Sequence, residues 1–254
     1  MTNIMNKRGG LMNVIKNHFG SKMIITNEYK INGNKYIDVY FPEYDCTVKN
    51  KSYSNFKRGS IKCPYERRTY GVGYLGEGKH KPSKNGKHVK VYLTWRDMLE
   101  RCYSPKSLKR RPTYENCTVC DEWLCYQNFA EWYYSNYYEI DNEKMHLDKD
   151  ILYKGNKIYS PDTCVFVPAK INSLFKSIKI NGMSKYNDKY QVQGNDEYGE
   201  HVYIGSFDTK EEALKSYKNF KEFTMKRIGE IYEKSIPKKV YDILYNYTWY
   251  EEEI

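Results

Sequence analysis

The sequence predicts an α+β chain of several modules, in which segments of strands alternate with segments of helices. Three observations support this. Residues 21–66 have the pattern of strands with turns, because an apolar run at 23–25 is followed by an alternating segment at 36–41. Residues 144–176, which include MHLDKDILYKGNKIYSPDTCVFVPAKINSLF, have the pattern strand, turn, strand, helix. Residues 178–228 have the pattern of a three-stranded antiparallel sheet followed by a helix. The predicted modules are a leader (1–20), a small β-rich N-terminal module (21–75), a basic linker (76–91), a central core (92–177), a sheet-and-helix module (178–235) and a C-terminal helix with an acidic tail (236–254).

The N-terminal elements follow from local patterns. Residues 1–20 are expected to be a helical or disordered leader. Asn32-Gly33-Asn34 predicts a turn, and the alternating segment 36–41 predicts a strand. The segment 52–59 predicts one or two helical turns closed by Gly59. Residues 67–90 are rich in Gly and Lys and predict a hairpin or basic linker. Their glycines do not fit a phosphate loop, because no GKS or GKT sequence follows them.

The later elements are marked by helix periodicity and by caps. Residues 91–142 predict two amphipathic helical stretches, with a basic loop, SLKRRP, at 107–112 between them. In the last module, Asp208 or Thr209 is expected to cap a helix whose first turn contains Glu211 and Glu212. A final short helix is predicted at 237–246.

The positive charge is concentrated in one part of the chain. The net charge is +10, yet residues 49–113 alone contain 18 Lys or Arg against 4 Asp or Glu. Such a block suits a polyanion, although a solvated charged face is the plainer interpretation. Interleaved Tyr residues favour nucleic acid, because Tyr stacks on bases and donates to phosphates. We expect phosphate contacts from basic residues in this stretch: Lys57, Arg58, Arg67, Arg68, Lys109, Arg110 and Arg111.

Other compositional features indicate a cytoplasmic protein. No stretch of about 18 apolar residues is present to span a membrane. The polar N-terminus does not have the pattern of a secretory signal. Seven cysteines in such a chain predict reduced thiols, not a disulfide framework.

The segment from His146 to Asn172 resembles the HNH-type (ββα-metal) endonucleases of phages and mobile introns. The motif residues are HLDKDI at 146–151, GNK at 155–157, YSPDTC at 159–164 and IN at 171–172, preceded by Trp- and Cys-containing pieces from residue 95 onward. The resemblance covers about residues 92–176. It implies a Mg²⁺-dependent nuclease in which Asp148 and Asn172 hold the metal and Asn156 braces the loop. DVYF, SYSNFKRGSIK and YGVGYLGEGK in the N-terminal part resemble phage proteins of low-GC Gram-positive hosts.

The HNH-like motif departs from its family at one position that matters for catalysis. Lys149 stands where the family has its general-base His, and a protonated Lys cannot accept a proton from water. His146 and Asp148 share a strand face by the two-residue alternation, so His146 is the candidate base. The alternative is a degenerate site that is retained for shape or for DNA grip.

The cysteines raise a question about structural zinc. Cys117 and Cys120 form a lone CxxC pair, with Cys102 as a further candidate ligand. A zinc finger normally has two such pairs, so the pattern favours buried thiols and leaves structural Zn²⁺ as the alternative.

Residues 182–220 resemble the apetala/ethylene-responsive-factor DNA-binding domain through YIGSFDT at 203–209 and EEA at 211–213. In that family the exposed face of the sheet enters the major groove. The resemblance implies that matching positions face DNA: Ser184, Lys185, Gln193, Asn195, His201 and Tyr203. The arginines of that family are replaced by other residues at several of these positions. Residues 176–234 contain 11 Lys or Arg and 10 Asp or Glu, so the module is nearly neutral. This module alone is therefore expected to bind DNA weakly, or to pack on its neighbours instead.

The combined prediction is a phage-encoded protein that binds double-stranded DNA and cleaves it as an HNH-type homing endonuclease. The alternative is a catalytically degenerate DNA-binding regulator, or an inhibitor of a host defence system that binds a host protein. No membrane partner is expected in either case.

Overall fold

The computed structural model describes residues 2–5, 11–175 and 182–249 of the 254-residue chain. The architecture is α+β with several antiparallel sheets, as the sequence predicts. The chain divides into two compact units, Met1–Ser135 and Asn136–Ile254. This boundary falls inside the segment 92–177, which the sequence analysis treats as one module.

Unit 1 begins with a five-stranded antiparallel sheet in which the strands follow one another in chain order. The strands are β1 (Thr2–Met5), β2 (Leu11–Lys16), β3 (Lys22–Ile31), β4 (Asn34–Phe41) and β5 (Cys46–Ser52). The prediction of a helical or disordered leader is wrong for residues 2–5 and 11–16; residues 1 and 6–10 lie outside the described part. The β-branched pair Val14-Ile15 suits a strand, and β2 satisfies the backbone edge of β3.

The turns of this sheet follow the sequence predictions. Asn32 and Gly33 both have positive φ, 48° and 78°, and join β3 to β4 as the two central residues of a tight hairpin turn. Helix α1 (Tyr53–Lys57) ends before Gly59, whose φ of 67° confirms the predicted glycine stop. Phe56 on α1 covers a core formed by one face of the sheet: Met23, Ile37, Val39, Phe41, Cys46 and Val48.

The rest of unit 1 is mainly helical. A short hairpin of β6 (Ser83–Lys84) and β7 (Lys87–His88) precedes α2 (Lys90–Tyr103), α3 (Pro105–Arg110), β8 (Thr118–Val119), α4 (Asp121–Leu124) and α5 (Tyr126–Asn136). The predicted basic loop at 107–112 is wrong over most of its length, because α3 extends to Arg110. Ser104 caps this helix by accepting a hydrogen bond from the Ser107 N–H, and Pro105 suits the first helical position.

Unit 2 begins with a ββα arrangement. Strand β9 (Met145–Asp148) pairs antiparallel with β11 (Val165–Pro168), and α6 (Ala169–Leu174) follows β11 directly. A two-residue strand, β10 (Ile158–Tyr159), lies in the long connection between them. The predicted order of strand, turn, strand and helix is confirmed.

The second half of unit 2 is a three-stranded antiparallel sheet with a long helix. The sheet contains β12 (Met183–Tyr186), β13 (Lys189–Asn195) and β14 (His201–Phe207), in chain order. Helix α7 (Lys210–Tyr232) starts with a capping box between Thr209 and Glu212, as expected for one of the two predicted caps. Helix α8 (Lys238–Tyr245) confirms the final short helix.

Helix α7 belongs to two hydrophobic cores. Its first turns pack with Val192 of the sheet through Ala213, Leu214 and Tyr217. Its later turns, with Met225 and Ile228, pack against the ββα arrangement and α8 in one cluster that includes Val165, Val167, Ile171, Val240 and Leu244. The ββα arrangement and the C-terminal sheet are therefore held by one continuous helix. Within the described ranges, no helix has both the length and the apolar character that crossing a membrane requires.

Candidate nuclease and DNA-binding sites

The ββα arrangement brings two of the predicted site residues into contact. His146 lies on β9 opposite Val167, and Asn172 lies one turn into α6. The Asn172 Nδ2 and His146 Nδ1 atoms are 3.2 Å apart. The backbone N–H of Ala169 donates to the Lys144 carbonyl at 2.7 Å, which holds the start of α6 against the start of β9. The helix therefore delivers Asn172 to the strand face that carries His146.

Asp148 lies two residues beyond His146 and shares its face of β9 by alternation. Its Oδ1 atom accepts the backbone N–H groups of Asp150 at 2.9 Å and Ile151 at 2.8 Å. Burial raises the pKa of the Asp148 carboxyl to about 6, and the nearby Asp150 carboxylate acts in the same direction. A half-buried carboxylate is thus retained here against its desolvation cost.

Lys149 has a structural position in this arrangement. The residue is buried, and its Nζ donates to the Asn156 carbonyl at 2.8 Å and to Asp150 Oδ2 at 2.9 Å. Its side chain is therefore directed into the loop that follows β9. Lys149 therefore anchors this loop.

Asn156 completes the same loop from the other side, as its predicted bracing role requires. Its Nδ2 donates to the carbonyls of Lys149 at 2.6 Å and Ile158 at 2.7 Å, and its Oδ1 accepts the Ile158 N–H at 3.2 Å. Gly155 precedes it with a φ of 79°, a conformation that favours glycine. The side chain of Lys149 therefore bonds to the backbone carbonyl of Asn156, and the side chain of Asn156 bonds to the backbone carbonyl of Lys149.

The donor set at His146 has the chemistry for a divalent cation but is small. It contains one carboxylate from Asp148, one imidazole and the Asn172 amide. In the described part of the chain, no group of three or more His, Cys, Asp or Glu side chains is arranged to hold a metal ion. A Mg²⁺ ion would therefore depend on the Asn172 amide oxygen and the Asp148 carboxylate.

The three cysteines considered for zinc form no group arranged to hold a metal ion within the described residues. Cys102 is buried on α2, and Cys117 is buried with its Sγ 4.0 Å from the Thr113 carbonyl. Cys120 is half-buried at the N-cap of α4, and burial raises the pKa of its thiol.

The C-terminal sheet has one face on α7 and one open face. Antiparallel partners share a face, so the register assigns three rows to the open side. These rows are Ser184–Gln191–Ser206, Gln193–Tyr203 and Asn195–His201. A bulge between Val192 and Gln193 shifts the register by one residue on β14. Five of the six predicted DNA-facing residues therefore lie on one surface.

Lys185 is the exception among those six. It pairs with Tyr190, which pairs with Phe207, and both of these aromatic residues pack in the core beneath the sheet. The placement of Lys185 on the DNA-facing side is wrong, because neighbouring residues of a strand cannot share a face with each other. The same alternation places Tyr186 on the open side, where its side chain is 62% exposed. The sequence prediction omits that exposed ring, although the period of two is sufficient to find it.

The predicted phosphate contacts all lie in unit 1, in two groups. Lys57, Arg58 and Arg67 are exposed near the end of α1 and in the segment after it. The other group, Lys109, Arg110 and Arg111, is exposed at the end of α3.

Arg68 differs from the other predicted phosphate contacts. Its Nε lies 3.6 Å from the carboxylate of Glu66, whose side chain is only 2% exposed. A buried carboxylate is costly without a nearby positive charge, so we assign Arg68 to stabilising Glu66 and not to contacting phosphate.

Comparison with protein-family models, with curated proteins and with solved structures found no match.

Proposed function

We propose that this chain is a phage- or prophage-encoded protein that binds double-stranded DNA in the bacterial cytoplasm and hydrolyses its phosphodiesters at an HNH-like site with one divalent metal ion. The observation that carries the proposal is the 3.2 Å contact between His146 and Asn172, on the strand face shared with Asp148. Strand β9 supplies a base and a carboxylate, and helix α6 supplies a neutral ligand, which are the residue types that the chemistry needs.

The residues divide the work as follows. Asp148 and Asn172 would hold Mg²⁺, which stabilises negative charge on the scissile phosphate when it is bound. His146 would accept the proton of the attacking water, because it contacts Asn172 and shares the strand face of Asp148. Asn156 and Lys149 keep the loop after β9 in place and take no part in proton transfer.

DNA affinity and DNA sequence preference come from different units in this proposal. The exposed basic residues of unit 1 neutralise phosphates, so affinity decreases steeply with salt. The open face of the C-terminal sheet carries Gln193 and Asn195, whose amides form paired hydrogen bonds with adenine edges. Because that module is nearly neutral, it contributes preference more than affinity.

A nicking assay tests the catalytic part of the proposal. Supercoiled phage and host DNA would be incubated with the full chain and Mg²⁺ or Mn²⁺. We expect nicking that EDTA abolishes and that Asp148→Ala and His146→Ala each reduce by at least about 100-fold. Asp162→Ala, an exposed carboxylate in the same segment, is the matched control and should leave the rate unchanged. Cleavage that survives Asp148→Ala would contradict the site.

A second candidate function is DNA binding without cleavage, as a phage regulator or as an inhibitor of a host defence system through a host protein. The observation in its favour is the burial of Lys149, which occupies the position of the family base. Tight DNA binding without nicking of any phage or host DNA, with either metal, would establish this function over the nuclease.

Sequence preference is tested separately by selecting bound sites from a randomised duplex library. We expect Gln193→Ala and Asn195→Ala to change the selected sequence while total affinity falls little. Lys185→Ala is the control, because its side chain belongs to the helix-facing row and should leave the selected sequence unchanged. An unchanged sequence with both amide variants would remove the open face from the proposal.

A further inference from the structure

A rigid turn in unit 1 presents an exposed phenylalanine. Phe19 lies in the turn between β2 and β3, and 53% of its surface is exposed. Buried Asn17 organises this turn, because its Oδ1 accepts the N–H groups of Phe19 and Ser21, both at 3.0 Å. The backbone position of Phe19 is therefore fixed by the Asn17 side chain.

The turn is anchored to a distant part of the module. Asn17 Nδ2 donates to the Ile61 carbonyl at 3.1 Å and to the buried Glu66 carboxylate. The N–H of His18 donates to the Gly59 carbonyl at 2.9 Å, which attaches the turn to the chain just after α1. These contacts join the turn to the segment that carries the predicted phosphate contacts of the N-terminal module.

Two cationic side chains lie near the Phe19 ring. The Arg68 guanidinium carbon lies 5.2 Å and the Lys62 Nζ lies 5.9 Å from its centroid, both within cation–π range. Two further exposed arginines, Arg58 and Arg67, lie before and after Lys62 along the chain. A single exposed apolar side chain is ordinary on a protein surface. An aromatic ring on an anchored turn, within cation–π range of one lysine and one arginine, is a specific arrangement, and its charge complements a polyanion.

The geometry favours nucleic acid over a protein partner as the occupant of this surface. Docking of a protein normally buries a contiguous apolar patch, whereas here the apolar area is one ring with a cationic rim. Proteins that bend or open DNA place apolar side chains against unstacked bases while Lys and Arg hold the flanking phosphates.

We propose that Phe19 contacts a nucleobase of bound DNA by stacking at an opened base step, while the exposed Lys62 and Arg67 hold the adjoining phosphates. This inference rests on the proposed DNA binding and is independent of cleavage. Nothing in the sequence motifs singles out Phe19, because its surroundings come from segments about 40–50 residues away.

The test compares the salt dependence of DNA binding for full-length variants. Phe19→Ala should weaken DNA binding by about 5- to 100-fold. This factor should be the same at every salt concentration, because loss of a stacked base releases no counterion. The slope of log K against log salt should stay at the wild-type value. Arg67→Ala should instead reduce that slope by about 1. Phe223→Ala removes the same residue type at 59% exposure on α7 and should change neither quantity.

A second readout tests the base contact itself. Duplexes that carry 2-aminopurine at successive positions should show one position whose fluorescence changes on binding of wild-type protein and not on saturating binding of Phe19→Ala. Phe19→Leu keeps apolar bulk without the aromatic face and should behave as Phe19→Ala does.

Wild-type affinity in Phe19→Ala, wild-type affinity in Phe19→Leu, or a reduced salt slope in Phe19→Ala would each overturn the inference and leave DNA binding intact. Failure of the wild-type chain to bind any DNA at low salt would instead refute the proposed function, and with it this inference.

Discussion

Replacing Lys149 by histidine, the general base of the HNH-type endonucleases that this segment resembles, should destabilise the protein and should not activate it. The perturbation is Lys149→His, with Lys149→Met as a companion that keeps the aliphatic stem. Lys149 Nζ donates to the Asn156 carbonyl and to Asp150. Either substitution breaks both contacts, and the Asn156 carbonyl loses its charged partner.

The magnitude follows from these two contacts. A hydrogen bond from a charged donor contributes about 1.5–3 kcal/mol to stability. The ion pair with Asp150, whose side chain is 48% exposed, adds about 0–1 kcal/mol. We therefore expect Lys149→His to lower the free energy of unfolding of unit 2 by about 1.5–4 kcal/mol, and Lys149→Met by somewhat less, because its stem still packs.

Urea unfolding and hydrogen–deuterium exchange measure this effect, with faster exchange expected in peptides that cover 145–168. Lys144→Met, an exposed lysine at the start of the same strand, is the control and should change stability by less than about 0.5 kcal/mol. The nicking rate of Lys149→His should not exceed that of the wild type. Wild-type stability together with a gain in nicking for Lys149→His would refute the structural role of Lys149.

Three further predictions concern other sites. Asp148→Asn should stabilise the metal-free protein at pH 8 by about 3 kcal/mol, because it removes a carboxylate whose pKa is raised to about 6 in the folded state. The raised pKa of Asp148 lowers the free energy of unfolding above pH 6 and has no effect on it below the ordinary pKa of 3.8. In urea titrations with EDTA, the extra stability of Asp148→Asn should therefore vanish below pH 4. A gain in stability that is the same at every pH would contradict this prediction. Arg68→Ala should lower stability by about 1–3 kcal/mol because Glu66 stays buried without it. Arg67→Ala should leave the thermal midpoint unchanged, and equal midpoints for the two variants would contradict the distinction. Gly78→Ala should destabilise unit 1 by about 1–3 kcal/mol in thermal melts, because its Cβ would collide with the Gln127 amide, and a neutral result would show that the amide yields.

Features encoded by neighbouring residues could be predicted from the sequence. The Asn32–Gly33 turn, the Gly59 helix stop and the Thr209 cap each depend on a few adjacent residues, and each is confirmed. The prediction for the leader is wrong because its strands depend on pairing with β3, which the leader itself does not specify. The same limit applies to 107–112, where basic residues suggest a loop but the Ser104 cap starts a helix.

The candidate site is predictable in its residues but not in their roles. The alternation of β9 places His146 and Asp148 together, and the motif order places Asn172 on the next helix. The contact between His146 and Asn172 requires α6 to fold back across β9, which is a tertiary event. The structural use of Lys149 depends on a loop seven residues away that turns back onto it.

By itself, the sequence determines the α+β class, the order of the elements, the concentration of charge in 49–113 and the face assignment of strand residues. These properties depend on composition and on periods of two or a few residues. Only the tertiary structure decides that Lys149 and Arg68 are internal, that α7 joins two cores and that Phe19 is held among cations. Each of these depends on packing between segments far apart in the chain, such as Asn17 with Glu66, and no local pattern specifies which distant segment will be the partner.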